Sequence, residues 1–113
     1  SFEAGRAEMT RLLAEDRAEA YFCGDDVLSI GALSAANDAG LKVPADIGFI
    51  GLNDMEMAGW ANINLTTIHQ PFEDIIRLSV DLIVAMLDDP ERPPESRIFP
   101  CRVVTRGTLR PAP

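Results

Sequence analysis

The chain is poor in the residue types on which reactive sites are built. Its 113 residues include one histidine, one tryptophan, one tyrosine and two cysteines. Cys23 and Cys101 lie far apart without metal-ligand spacing, so they read as reduced, buried small residues in strands. The lone His69 follows a strand and has no partners for a metal, and no metal or cofactor is expected. Nor is there a glycine-rich phosphate loop or a nucleophile elbow. Basic residues are scarce as well: 10 Lys and Arg stand against 18 Asp and Glu, a formal charge of −8. That balance argues against this stretch gripping nucleic acid by itself, because phosphate contacts need clustered cations. It leaves open DNA binding by a segment outside the chain. No apolar run approaches the roughly 18 residues of a membrane span, and Ser1-Phe2-Glu3-Ala4 lacks the basic and apolar regions of a secretory signal.

What remains is ordinary globular material, 47% apolar and 25% charged, enough for at most one domain with a moderate core. Phe2–Glu15 has a helical stripe in Met9, Leu12 and Leu13. Ala20-Tyr21-Phe22-Cys23 is a short apolar strand, and a helix is expected from Asp26, its N-cap, to Ala39, with Gly40 ending it. At about 100° per residue, Val27, Leu28, Gly31, Ala32, Ala35 and Ala39 form a face of mostly small residues suited to a sheet. Ile30 and Leu33 point the other way, which suggests a protein interface.

The stretch VPADIGFIGLND, Val43–Asp54, is central. A turn at Pro44-Ala45-Asp46 leads into Ile47–Ile50, a run of the kind buried on both faces of a parallel sheet. Gly51-Leu52-Asn53-Asp54 then sets polar groups at its exit, where open α/β sheets bind small ligands. Met55–Ala61 reads as a short helix capped by Asp54, and Leu65–Ile68 as a third strand. A long helix follows from Pro71 to about Asp88, whose apolar arc exceeds half its circumference and so demands burial on several sides. Prolines make Asp88–Pro94 a loop. Ile98-Phe99 and Arg102–Thr105 are extended. This alternation of helix and strand predicts a three-layer α/β domain with a parallel sheet. It also holds a quasi-repeat: Phe22-Cys23-Gly24-Asp25-Asp26 and Ile50-Gly51-Leu52-Asn53-Asp54 each run from strand, through a polar residue, to an aspartate. If the two strands are neighbours, Asp25 and Asn53 emerge over one crevice.

In order and spacing, FCGDDVLSIGALSAANDAGLKVPADIGFIGLND, LTTIHQPF and RVVTRGT together resemble the lactose-repressor/galactose-repressor family of bacterial transcription regulators. The resemblance covers nearly the whole chain. It implies a periplasmic-binding-protein-like effector domain in which two subdomains close on a sugar or related metabolite, changing operator affinity. The chain would be the carboxy-terminal portion. Residues 1–68 and about 101–113 would belong to one subdomain, and about 72–100 to the other. The DNA-binding helix-turn-helix would lie outside it, and the long helix would be covered here by self-association or rearrangement. The family's effector-binding Asn and Asp correspond to Asp25 and Asn53, an amide and a carboxylate exchanged; Phe72 matches a further ligand position, with Gln70 close by. Homodimer contacts map to Ile30, Leu33, Met57 and Trp60, although Trp60 could instead stack on a sugar. Asn64 departs from the proline usual before L-T-T. The expected protein is a cytoplasmic, bacterial, non-enzymatic sensor without membrane contact. An adjacent acid–base pair at Asp25-Asp26 is set aside because the cap would occupy Asp26. The alternative of the same fold is a sugar-binding protein of a transport system.

Overall fold

A computed structural model describes all of residues 1–113. The chain divides into two compact units, Ser1–His69 with Arg102–Pro113, and Gln70–Cys101. No helix is long and apolar enough to cross a membrane.

The first unit begins with α1 (Phe2–Leu13), whose first turn is capped by the Ser1 hydroxyl accepting from the Ala4 N–H. β1 (Ala20–Phe22) follows, then α2 (Asp26–Asp38) and β2 (Gly48–Leu52). Gly40, at φ +74°, closes α2: its N–H donates to Asn37 O and the Leu41 N–H to Ala36 O. That pair of bonds is a Schellman ending, which needs the left-handed conformation that glycine adopts without strain. At the entrance to β2, Asp46 closes the VPAD turn by accepting from the Lys42 N–H, while its own N–H donates to Lys42 O. A single 3₁₀ turn (Glu56–Gly59) precedes β3 (Thr67–His69), and β4 (Arg102–Val104) ends the sheet.

The strands lie in the order β1-β2-β3-β4. β1, β2 and β3 are parallel, so Phe22 stands beside Ile50, and Gly51 beside Thr67. The expected parallel sheet is thus present in β1–β3, and β4 is added antiparallel to β3 with His69 opposite Arg102. A parallel return needs a crossover to the far end of the same sheet. Here the chain leaves after His69, enters the second unit and comes back beside the point it left.

Burial is deepest along β2, as expected of a central strand: Ile47 and Phe49 are fully enclosed. Tyr21 stacks on Phe49 at 6.2 Å. The core continues through Met9, Ala32, Leu33, Ala35, Ala36, Ala58 and Leu65. α1 and α2 meet at two glycines, where a Cβ on Gly31 would lie 2.1 Å from Phe2 O and one on Gly5 2.2 Å from Leu28 O. The face reading of α2 is therefore wrong in part. Leu33, taken for the outer face, is 6% exposed and belongs to the core, whereas Ala39 is exposed. The sheet is not the only neighbour of α2. α1 and the loops around Val43 and Ile63 enclose it from other sides.

The second unit holds α3 (Phe72–Asp88) and the irregular segment up to Cys101. Ile75, Leu78 and Leu82 line a groove together with Glu95 and Phe99. Ile98 and Phe99 do not form a strand. No residue of α3 is buried; Ile76, Val80, Ile83 and Leu87 are all more than half exposed.

Candidate functional site

The carboxyl ends of β1 and β2 are adjacent, and the Cys23 N–H donates to Ile50 O at 2.9 Å. Asp25 and Asn53 follow these ends and are both half-buried. The quasi-repeat thus delivers two polar side chains to one edge of the sheet, where α/β folds bind ligands. Its details differ from the sequence reading. Asp25, not Asp26, is the N-cap of α2: its backbone is extended and its Oδ1 accepts from the Leu28 N–H at 2.7 Å.

Asp26 lies inward instead, with no exposed surface. Its Oδ1 accepts from the Thr67 hydroxyl at 2.5 Å, and its Oδ2 from the Met55 N–H at 2.7 Å. This carboxylate therefore joins α2, β3 and the loop after β2. The space around it explains Gly51, where a Cβ would stand 2.2 Å from Asp26 Oδ1 and 2.9 Å from Ser29 Oγ.

Asp54 is not a helix cap either. Met55 precedes the 3₁₀ turn and makes no side-chain cap bond. The Asp54 carboxylate accepts from Arg106 Nη2 at 2.7 Å and pairs with His69 Nδ1 at 3.0 Å. Burial raises the affinity of this carboxyl for a proton, but the bonds from Arg106 and His69 outweigh it and hold Asp54 below the usual carboxylate range. Arg106 also donates to Leu65 O at 2.9 Å, and its N–H donates to Thr66 Oγ1. Next to it, Thr108 is buried, with its N–H-accepting and O–H-donating hydroxyl bridging Thr66 and Phe49. The RVVTRGT run is therefore the clasp that fastens the chain's end to β2 and β3. Of these groups, Asp26 was expected to cap a helix, and no role was read for Thr67 or Arg106. The one available signal was the glycine at 51, two residues ahead of the polar pair.

Gln70 and Phe72 open the second unit; Gln70 is half-buried and Phe72 is 45% exposed at the first turn of α3. Of the residues expected at an interface, Trp60 is 53% exposed, Met57 and Ile30 are half-buried, and Leu33 is in the core. Leu33 cannot present a surface to a partner from that position. Cys101 is exposed and Cys23 half-buried, which corrects the expectation that both are enclosed in strands; the two are free thiols. Burial pushes the Cys23 thiol up. No group of three or more His, Cys, Asp or Glu is arranged to hold a metal.

A mixed sheet with two polar residues just past the carboxyl ends of β1 and β2, and a chain that crosses to a second unit and returns, is the pattern of an α/β domain of the periplasmic-binding type. The chain belongs to the periplasmic binding protein-like domain family, whose pattern matches residues 1–109. It is 36% identical to the HTH-type transcriptional repressor CytR of Escherichia coli K12 over 114 aligned positions, covering all of this chain and 33% of that protein. It thus spans about a third of the repressor's length. Among solved structures, a LacI-family transcriptional regulatory protein from Corynebacterium glutamicum superposes with a TM-score of 0.82 at 35% identity, covering 98% of this chain and 43% of that one. A LacI-family regulator from Enterococcus faecium with bound ribose superposes at 0.86, with 28% identity, 99% of this chain and 41% of that one. The resemblance to the lactose-repressor family is borne out by these relatives.

Proposed function

We propose that this chain is the carboxy-terminal part of the effector-sensing and dimerising domain of a bacterial LacI-family transcription regulator, without catalytic activity and acting in the cytoplasm. The observation that carries the reading is the emergence of Asp25 and Asn53 side by side at the carboxyl ends of β1 and β2. Phe72, by its correspondence to a ligand position of the family, and Gln70, close by in sequence, are further effector contacts in this reading. Ribose in the Enterococcus faecium regulator points to a sugar or a sugar-bearing metabolite as the ligand class. The repressor relatives favour this reading over a transport protein. DNA is held by a helix-turn-helix segment outside residues 1–113, in keeping with the acidic charge of the chain. Trp60, 53% exposed, is the core of the homodimer contact, to which the half-buried Met57 and Ile30 contribute.

Effector binding acts as a population shift: contacts made in only one subdomain arrangement favour that arrangement. The test is calorimetric titration of the whole regulator with D-ribose and a panel of other pentoses, hexoses and nucleosides. Asn53→Ala removes one polar ligand contact and should cost about 1–3 kcal/mol of binding. Asp25→Asn keeps an effective cap for α2 and tests the carboxylate alone. Unchanged affinity in both variants for the ligand that binds the natural protein would overturn the pocket.

A further inference from the structure

We propose that Asp54 is the positioning residue of this pocket: its carboxylate, gripped by Arg106 and His69, locks the turn that carries Asn53 and ties it to the end of β3, where the chain leaves the first unit. The proposal rests on the reading of Asn53 as a ligand residue.

Asn53 has φ +106° and Asp54 φ +54°, two consecutive non-glycine residues in the left-handed region. Residues with side chains seldom adopt that conformation, and they keep it only where the surroundings over-determine it. The surroundings here do so on both sides. The backbone is pinned by Asn53 N–H to Ile68 O at 2.9 Å, Asp54 N–H to Thr67 Oγ1 at 3.4 Å and Met55 N–H to Asp26 Oδ2 at 2.7 Å. The Asp54 side chain, 14% exposed, is held by a different oxygen from each partner: Oδ1 by Arg106 and Oδ2 by His69. Swinging Asn53 out of its setting therefore requires Asp54 to release both.

His69 is the last residue of β3 and stands opposite Arg102, the first of β4. The chain passes between the two units only at 69–70 and 101–102. The bond between Asp54 and His69 thus connects the Asn53 turn to the first of these crossings. A ligand that pulls on Asn53 is felt at His69, and by reciprocity a change at His69 is felt at Asn53. The charged groups around the imidazole are the Asp54 carboxylate, Arg106 behind it and Arg102 across the ladder, with Asp26 reached through Thr67.

Nuclear magnetic resonance on the 113-residue chain tests this without any ligand, using transverse-relaxation-optimised spectra that tolerate self-association. The backbone amides of Asn53, Asp54 and Met55, each bonded across to β3 or α2, should exchange slowly with deuterium in the natural chain. In Asp54→Asn these three amides should exchange about tenfold faster while those of β2 keep their protection, an effect that a residue acting only on overall stability would not produce. His69→Gln should speed the same three amides with the circular dichroism spectrum retained, and it decides the matter alone if Asp54→Asn does not fold. Fast exchange at Asn53 and Met55 in the natural chain, or unaltered exchange in the variants, would overturn the proposal. A pocket that binds ligand with these amides unprotected would sink the positioning role alone; protected amides with Asn53→Ala indifferent to ligand would sink the pocket alone.

Discussion

At the scale of single residues, two aspartates that the sequence makes look interchangeable are held by the fold in different ways. Asp26 and Asp54 each end a strand-to-helix turn, yet neither caps a helix. Asp26 is enclosed with neutral partners, Thr67 and Met55 N–H; Asp54 is paired with Arg106 and His69. The second arrangement has a consequence for acid stability. A carboxyl that binds its proton less readily when folded than when unfolded adds stability above its unfolded pKa, about 3.9. That contribution drains away as the pH falls towards the lower folded value, because the unfolded chain takes up the proton first. Urea unfolding at a series of pH values should therefore show stability decreasing below about pH 4. Asp54→Asn should be less stable than the natural chain at pH 6 and lose less on going from pH 4 to about pH 2.5. Equal acid sensitivity of the two chains would mean that Asp54 is not the group responsible. The misreading of both caps has a plain physical source. A capping bond depends on the extended backbone of one residue, which the adjacent Asp25 and Asp26 do not reveal by sequence and which Asp54, at φ +54°, does not have.

At the scale of elements, the legible parts were those governed by local rules. The Schellman ending at Gly40, the turn closed by Asp46 and the buried β2 all follow from short-range chemistry. The contact between α1 and α2 follows from it only in part. The small residues of α2 were read as a surface for the sheet, whereas Gly31 meets the backbone of α1 at Phe2. The two ways of packing predict opposite effects for Gly31→Ala. In an open helix, alanine would stabilise by about 1 kcal/mol through propensity. Against a carbonyl 2.1 Å from the new Cβ, the helices must separate. Overpacking of this kind costs about 1–3 kcal/mol and exceeds the propensity gain. Denaturant midpoints should accordingly fall for Gly31→Ala, and a rise would show that the helices are further apart than described.

At the scale of the whole molecule, α3 stands out because burial, not propensity, stabilises most helices in proteins. Ile76, Val80, Ile83 and Leu87 recur at intervals of four, three and four residues and make one exposed stripe. Such a stripe exceeds the scattered apolar surface of soluble domains and seeks a cover. In the 113-residue chain alone, self-association should provide it: sedimentation velocity is expected to give a concentration-dependent mass above that of one chain. The pair Ile76→Glu and Ile83→Glu, which disturbs no buried residue, should shift the chain to a monomer and reduce binding of an environment-sensitive dye. A monomer before substitution, without dye binding, would count against a need for cover. In the whole regulator, the rest of the second subdomain takes that role in our reading.

The sequence by itself determined what depends on neighbours along the chain. It set the alternation of strand and helix, the polar residues after β1 and β2, the excess of apolar surface on α3 and the family to which these belong. Tertiary structure alone decided which aspartate caps and which is buried, the burial of Leu33, the antiparallel course of β4 and the convergence of Arg106, His69 and Asp54. Each of these depends on groups brought together from distant positions, up to 52 residues apart for Arg106 and Asp54. Local periodicity carries no record of such meetings, because the same side chain is a cap, a core residue or an ion-pair partner according to what the fold sets beside it.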